Sequence, residues 1–194
     1  MSSASNPTHP GFAARDAARR GDIDYLIAGL ADPEMRVAAA RQLGKLGAQE
    51  AVPVLTQNLR ARSDSCRMSA VRALGKIGDP SAIPALLQVA REDEAMGVRT
   101  QAIDSLARLG APEGVNLFTQ LAVNPAPLLA TCLRESDLHE QLHPKHLQWM
   151  RKWAAKRLRE LHATDSVPAL EAALGAVDWR HRMRLRRTIR ALQN

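Results

Sequence analysis

A block that recurs along the first two thirds of the chain is the feature that most constrains its fold. Equivalent residues return after 31 and then 32 positions, in sets such as Arg36, Arg67 and Arg99; Leu43, Leu74 and Leu106; and Gly47, Gly78 and Gly110. A fixed period of this length is typical of proteins that stack one helical unit on the next. The sequence therefore predicts an array of stacked helices.

Each block has the pattern of two helices. In residues 64–90, apolar side chains at helical spacing form one stripe before Gly78 and a second stripe after it. Gly78 stands where a left-handed cap would end the first helix, and Asp79 with Pro80 suits the start of the second. Such a pair cannot bury both stripes alone, so it must stack on copies of itself.

Two of the blocks share one motif. The matching residues are Arg36-x-x-Ala39-Ala40-x-x-Leu43-Gly44-x-x-Gly47 with Val52-Pro53-x-Leu55, and Arg67-x-x-Ala70-x-x-x-Leu74-Gly75-x-x-Gly78 with Ile83-Pro84-x-Leu86. The motif resembles the HEAT-repeat family, in particular its short subtype first described in phycobilin lyases, strongly over residues 32–122 and more weakly over 12–31 and 147–192. The resemblance implies an all-α, right-handed solenoid of HEAT-like helix pairs, with about five repeats and a capping helix. It says little about activity, because family members range from scaffolds to lyase subunits and DNA-repair enzymes.

The repeats also predict the domain organisation. Residues 1–10 are rich in Ser, Asn, Pro and His, and we expect a disordered tail there. Residues 11–194 are predicted to form a single domain. Leu158, the next counterpart of Leu106, comes after 52 residues, which places an irregular insert at about 124–145. Insertions in repeat arrays often carry function.

The amino-acid composition limits the classes of protein to which the chain can belong. The chain of 194 residues is 45% apolar but only 3% aromatic, which suits tightly stacked helices rich in alanine and leucine. Its two cysteines, Cys66 and Cys132, make no disulfide framework and favour a reducing compartment. The sequence has neither the apolar run of a signal peptide nor one of transmembrane length. We therefore expect a soluble, cytoplasmic protein that needs no cofactor.

Three glutamines occupy one equivalent position on the second helices: Gln57, Gln88 and Gln120. Because second helices usually line the concave surface in the HEAT family, a row of amides there could bind the backbone of a protein partner. The alternative is that glutamine is simply a good solvated helix former. The arginines of the first helices, Arg36, Arg67 and Arg99, are predicted to bridge adjacent repeats, as the family's arginine does.

The last quarter of the chain carries the whole basic excess. Residues 145–194 have a net charge of +8, whereas the preceding residues sum to −1. We expect the candidate binding residues here to lie opposite the apolar stripes of their helices: Trp149, Lys152, Trp153, Lys156, Arg159, Arg180, Arg184 and Arg187. Arginine near tryptophan suits phosphates, stacked bases or acidic protein segments. The alternative is a solvated end cap, with the tryptophans buried under the insert.

The insert contains one motif with a known metal chemistry, His139-Glu140-x-x-His143. On a helix the two imidazoles would share one face and could hold zinc, with Glu140 as a base. Pro144 must end such a helix directly after the second histidine. No third ligand stands at a recognisable spacing, and this disfavours a catalytic zinc site.

Taken together, these patterns favour a non-catalytic scaffold that binds a protein partner on its concave face. One alternative is a nucleic-acid-binding protein that resembles the HEAT-like DNA glycosylases. Basic charge together with Trp149, Trp153 and Trp179 matches those enzymes loosely, whereas their aspartate has no assignable counterpart. The other alternative is a metal-binding protein or metalloenzyme that uses the insert.

Overall fold

The computed structural model describes residues 9–126 and 144–194. Over these residues the secondary structure is α-helix with short 3-10 turns, and no strand is present. The chain divides into two compact units, the first ending at Leu109 and the second beginning at Gly110. The predicted all-α architecture is therefore confirmed, whereas a single domain over residues 11–194 stays a prediction.

The first unit consists of seven described α-helices. They are α1 (Pro10–Arg20), α2 (Ile23–Ala28), α3 (Arg36–Leu46), α4 (Val52–Asn58), α5 (Asp64–Ile77), α6 (Ile83–Glu92) and α7 (Met96–Arg108). The odd-numbered helices stack in order, α1 on α3, α3 on α5 and α5 on α7. Each even-numbered helix packs against the odd-numbered helix that follows it, as α4 does on α5. This is the stacking of helix pairs that the repeat predicts.

The core of the first unit follows the repeated leucines. Leu43, Leu74 and Leu106 are completely buried, one on each of α3, α5 and α7. Each of them is followed directly by glycine or alanine, small residues that allow two backbones to approach. A methyl group added at Gly75 would clash with the Ser105 Oγ, so α5 and α7 pack closely there. The small residues of the motif are thus needed for helix contact.

The helix ends are encoded locally. Gly78 has φ 84°, and its N–H bonds to the carbonyl of Leu74, which is the left-handed cap that the sequence predicts. Asp79 accepts a hydrogen bond of 2.8 Å from the N–H of Ser81. The second helix starts later than Asp79 and Pro80 suggest, because residues 80–82 form a 3-10 turn. Pro84 instead occupies the first turn of α6.

The repeated arginines bind the preceding helix pair, as predicted. Arg36 donates from Nε to the carbonyl oxygen of Leu30 at 2.6 Å, and Arg99 donates to that of Ala90 at 3.2 Å. These carbonyls lie near the ends of second helices, where backbone acceptors lack helical partners. The arginine of each first helix therefore ties two repeats together.

The second unit contains four described α-helices. They are α8 (Pro112–Val123), α9 (Pro144–Glu160), α10 (Val167–Ala172) and α11 (Trp179–Gln193). Helix α9 packs against α8 and α11, and α10 packs against α11. Arg182 donates to the carbonyl oxygens of Leu174 at 2.8 Å and Val177 at 3.3 Å. It thus repeats in this unit the role of the arginines in the first unit, and its spacing of 31 residues from Arg151 could have revealed this.

Trp153 lies partly in the core of the second unit. Its ring meets Phe118 edge to face, with centroids 5.0 Å apart, and stacks on Trp149 at 6.1 Å. The prediction that both tryptophans lie on the side opposite the apolar stripe is therefore wrong for Trp153, which is half-buried. A tryptophan buries more surface than any other side chain, and α8 supplies the aromatic contact. Trp149 is 53% exposed.

The predicted tail and insert lie mostly outside the described residues. Helix α1 begins at Pro10, where His9 accepts a hydrogen bond from the N–H of Gly11 at 3.1 Å. Helix α9 begins at Pro144, slightly before the repeat that the sequence places at 147–192. No helix of the described chain is both long and apolar enough to cross a membrane.

Candidate partner-binding surfaces

The first unit has a cleft of about 560 Å³ between the second helices α4 and α6. Gln57 and Gln88 both line it, and Leu59 and Val89 add an apolar wall. We call it the amide cleft. The amide of Gln88 donates to Glu92 Oε2 at 3.0 Å, so its orientation is set by a residue of the same helix.

The spacing of 31 residues correctly predicts that Gln57 and Gln88 share a surface. Both are exposed, as a binding role requires. Gln120 is also exposed, on α8, and belongs to the second unit. A continuous row of all three amides stays a prediction.

The second unit has a groove of about 520 Å³ between α9 and α11. We call it the basic groove. Its charged lining consists of Lys152, Arg159, Arg180, Arg184 and Arg187. Among the residues that the structure describes, no acidic side chain lines it and none of these five cations forms a salt bridge. Packing of α9 on α11 therefore brings together five of the predicted binding residues.

An exposed apolar element completes the basic groove. Trp179 is 68% exposed and Met183 49% exposed, although both are large apolar side chains. The Arg180 guanidinium lies 5.3 Å from the centre of the Trp179 ring, in a cation–π contact. In the sequence, Trp179 only loosely matches a tryptophan of the DNA glycosylases, and no role is predicted for Met183. Their spacing of four residues on α11 could have shown that they share a face.

The other predicted basic-end residues lie outside this lining. Lys156 approaches Glu160 Oε1 at 3.5 Å, and Arg157 also pairs with that carboxylate. The hydrogen bond from Arg157 is the main cause that lowers the pKa of Glu160. Trp149 and Trp153 stack on each other instead of lining the basic groove. Part of the predicted binding surface is therefore occupied by local ion pairs and by packing in the core.

Helix α11 also carries a buried histidine, His181, which is 3% exposed. Burial is the main cause that lowers its pKa, and the positive charges of Arg151 and Arg184 lower it further. Asp178 opposes this shift and caps α11 by accepting from the His181 N–H at 3.0 Å. Among the described residues neither ring nitrogen has a partner of good hydrogen-bond geometry, although the Val123 carbonyl is near.

The candidate zinc ligands His139 and His143, with Glu140, lie outside the described residues. Within residues 9–126 and 144–194, no group of three His, Cys, Asp or Glu side chains is placed to hold a metal ion. Cys66 is a buried free thiol in α5. The metal-binding hypothesis therefore gains no support from the described part of the chain.

The stacked helix pairs and their open clefts define a helical-repeat protein. A family model for HEAT repeats matches residues 23–107 and 59–131. The chain belongs to the HEAT-repeat family, as its motif predicts. No curated protein sequence matches the chain.

Comparison with one solved structure supports the same fold. The chain is similar to a structure described as the complex of CpcE and CpcF of phycocyanin lyase from Nostoc sp. PCC7120, with 21% identity and a TM-score of 0.53. That alignment covers 98% of this chain and 91% of the other. An engineered protein aligns with 17% identity and a TM-score of 0.49 over 94% of this chain and 84% of its own. At 21% identity the likeness to the lyase structure concerns the fold alone.

Proposed function

We propose that the protein is a non-catalytic HEAT-repeat scaffold that binds a protein partner in the amide cleft. The observation that carries the proposal is that Gln57 and Gln88 line one open cleft on successive repeats. A glutamine amide offers both donors and an acceptor, so two of them can pair with the backbone of a bound segment. Leu59 and Val89 supply apolar surface beside them. Thr56, Arg60, Glu92 and Asp93 also line the cleft, so a bound segment would meet charged groups beside the two amides.

The comparison adds support at the level of the fold. The phycocyanin lyase structure is described as a complex of two proteins, CpcE and CpcF. A helical-repeat fold of this kind can thus present a surface to another chain. For the present protein the partner surface is inferred from the amide cleft and not from the identity of those subunits.

Site-specific photo-crosslinking tests the proposal and identifies the partner in the same experiment. A benzophenone amino acid replaces either Gln57 or Gln88, and in matched controls it replaces Gln49 or Gln148, which are also exposed glutamines. Each protein is irradiated in nuclease-treated lysate, and the adducts are identified by mass spectrometry. We expect the same protein to crosslink from both cleft positions and from neither control.

Two outcomes would contradict the proposal. One is the absence of any protein adduct at both cleft positions. The other is a set of adducts that is identical at all four positions, because this would indicate random encounter. Nuclease treatment ensures that a nucleic acid does not bridge the adduct.

A further inference from the structure

We propose that the basic groove of the second unit is a second binding site, and that it takes a short acidic protein segment. The segment carries carboxylates for the arginines and at least one apolar side chain for Trp179 and Met183. The site lies in a different unit from the amide cleft and shares no residue with it. It therefore does not depend on the proposed function.

The charge of the groove is the first argument. Five cations converge on a space of about 520 Å³, and no described acidic side chain lines it. Like charges within about 8 Å are poorly screened at physiological salt, so their convergence costs free energy. A helix end that only needed to be solvated would gain nothing from one sign of charge. An anionic ligand removes this repulsion, and guanidinium groups bind carboxylates through paired hydrogen bonds.

The length of the groove favours a peptide. Its charged residues span Lys152 to Arg159 on α9 and Arg180 to Arg187 on α11, which is about 10 Å along each helix at 1.5 Å per residue. An extended peptide advances about 3.3 Å per residue, so three or four residues fill this length. By comparison, an OB fold that binds single-stranded nucleic acid contacts about 4–16 nucleotides, which need a longer groove than this one.

The apolar part of the groove points in the same direction. The Arg180 guanidinium already lies over one face of the Trp179 ring at 5.3 Å, so a nucleobase could stack only on the other face. Met183 is flexible and unbranched, so it adapts to apolar side chains of different shapes. An acidic segment uses both features, because its carboxylates meet the arginines while its apolar side chain covers Trp179 and Met183.

Fluorescence anisotropy with the full chain tests this site. The probes are a fluorescein-labelled peptide of glutamates and leucines, a peptide in which glutamine replaces each glutamate, and an oligothymidine strand, all at about 0.15 M salt. We expect the acidic peptide to bind, and to bind more tightly than either of the other probes. Trp179→Ala should weaken its binding several-fold, because the apolar contact is lost.

Two double variants separate the groove from the general charge of α11. Arg180→Glu with Arg187→Glu reverses two groove cations, whereas Arg186→Glu with Arg190→Glu makes the same change in charge at exposed positions of α11 outside the lining. The first pair should weaken peptide binding about tenfold or more, and the second about twofold or less. Circular dichroism should give the same helix content for both, because the buried Leu185 and Ile189 are unchanged.

Three results would overturn the inference. Equal losses in the two double variants would mean that the net charge, and not the groove, attracts the peptide. Tighter binding of oligothymidine would make the groove a nucleic-acid site. Absence of acidic-peptide binding to the wild-type chain would show that the groove does not bind an acidic segment. None of these results bears on crosslinking from Gln57 and Gln88, so the two proposals fail separately.

Discussion

The guanidinium of Arg67 holds both carboxylate oxygens of Asp93, with Nε–Oδ2 at 2.8 Å and Nη2–Oδ1 at 3.0 Å. Their side chains are only 8% and 5% exposed. Arg67 also donates to the carbonyl oxygens of Ala61 at 2.9 Å and Arg62 at 3.2 Å. One side chain on α5 thus joins the segments that follow α4 and α6. The hydrogen bond to Asp93 is the main cause that raises the pKa of Arg67.

Removal of one member of this pair should strongly destabilise the first unit. We expect Asp93→Ala to lower the free energy of unfolding by about 1.5–3 kcal/mol, because the buried Arg67 loses two charge-assisted hydrogen bonds. Of its described carboxylate partners, it keeps only the exposed ones of Asp64 at 2.9 Å and Glu94 at 3.4 Å. Urea denaturation followed by circular dichroism measures the change. Arg20→Ala is the control: its ion pair with Asp16 is exposed on both sides, and its loss should cost about 1 kcal/mol or less. Equal effects of the two substitutions would contradict the structural role of the buried pair.

The close approach of α5 and α7 gives a second prediction. In Gly75→Ala the new Cβ would lie 2.5 Å from Ser105 Cβ and 2.9 Å from its Cα, so the helices must move apart. We expect a loss of about 1–3 kcal/mol from overpacking, measured by urea denaturation. Gly97→Ala is the matched control, since its Cβ would meet only the flexible end of Met68, at 3.1 Å. If Gly75→Ala is as stable as Gly97→Ala, the contact between the helices is looser than described.

The repeated leucines give a third prediction. Leu74 is completely buried between stacked helices, and Leu74→Ala should cost about 2–5 kcal/mol because it leaves a cavity. Leu46 is 43% exposed, and the same substitution there should have a much smaller effect. Thermal and urea unfolding of both variants provide the measurement. A change below about 0.5 kcal/mol for Leu74→Ala would place the core stripe elsewhere.

The buried imidazole of His181 makes stability depend on pH. Its pKa in the folded protein lies below the ordinary value of about 6.5, because burial, Arg151 and Arg184 disfavour the charged form, although Asp178 opposes them. The unfolded chain therefore takes up this proton first as the pH falls. Stability from this residue is complete above about pH 6.5 and is lost as the pH falls toward the folded pKa.

A pH series of urea denaturation curves measures this dependence. The contribution of one proton cannot exceed about 1.4 kcal/mol per pH unit. We expect His181→Gln to remove that slope below about pH 6.5, relative to the wild type. A wild-type slope that persists in His181→Gln would assign the dependence to other groups.

Much of the fold could be predicted because its signals are local. Apolar spacing around Leu74 gives the buried face of α5, and Gly78 ends the helix in the left-handed conformation that favours glycine. The resemblance to HEAT repeats implies that the repeated arginines bridge adjacent repeats, and the hydrogen bonds of Arg36 and Arg99 agree with this role. The predicted side of Trp153 is wrong because its contact with Phe118 joins two helices. The residue spacing within either helix does not indicate such a contact.

The sequence by itself determined the type and order of the described helices and, except at Trp153 on α9, the face that each one buries. Helical periodicity and caps act over a few residues, so they can be recognised in one helix without its packing partner. Only the tertiary structure decided which polar residues meet. It placed Lys152 and Arg159 opposite Arg180 and Arg187, and it left Lys156 beside Glu160 outside the groove. The reason is physical: such contacts depend on how α9 packs on α11, and that packing is fixed by buried side chains on the other faces of both helices.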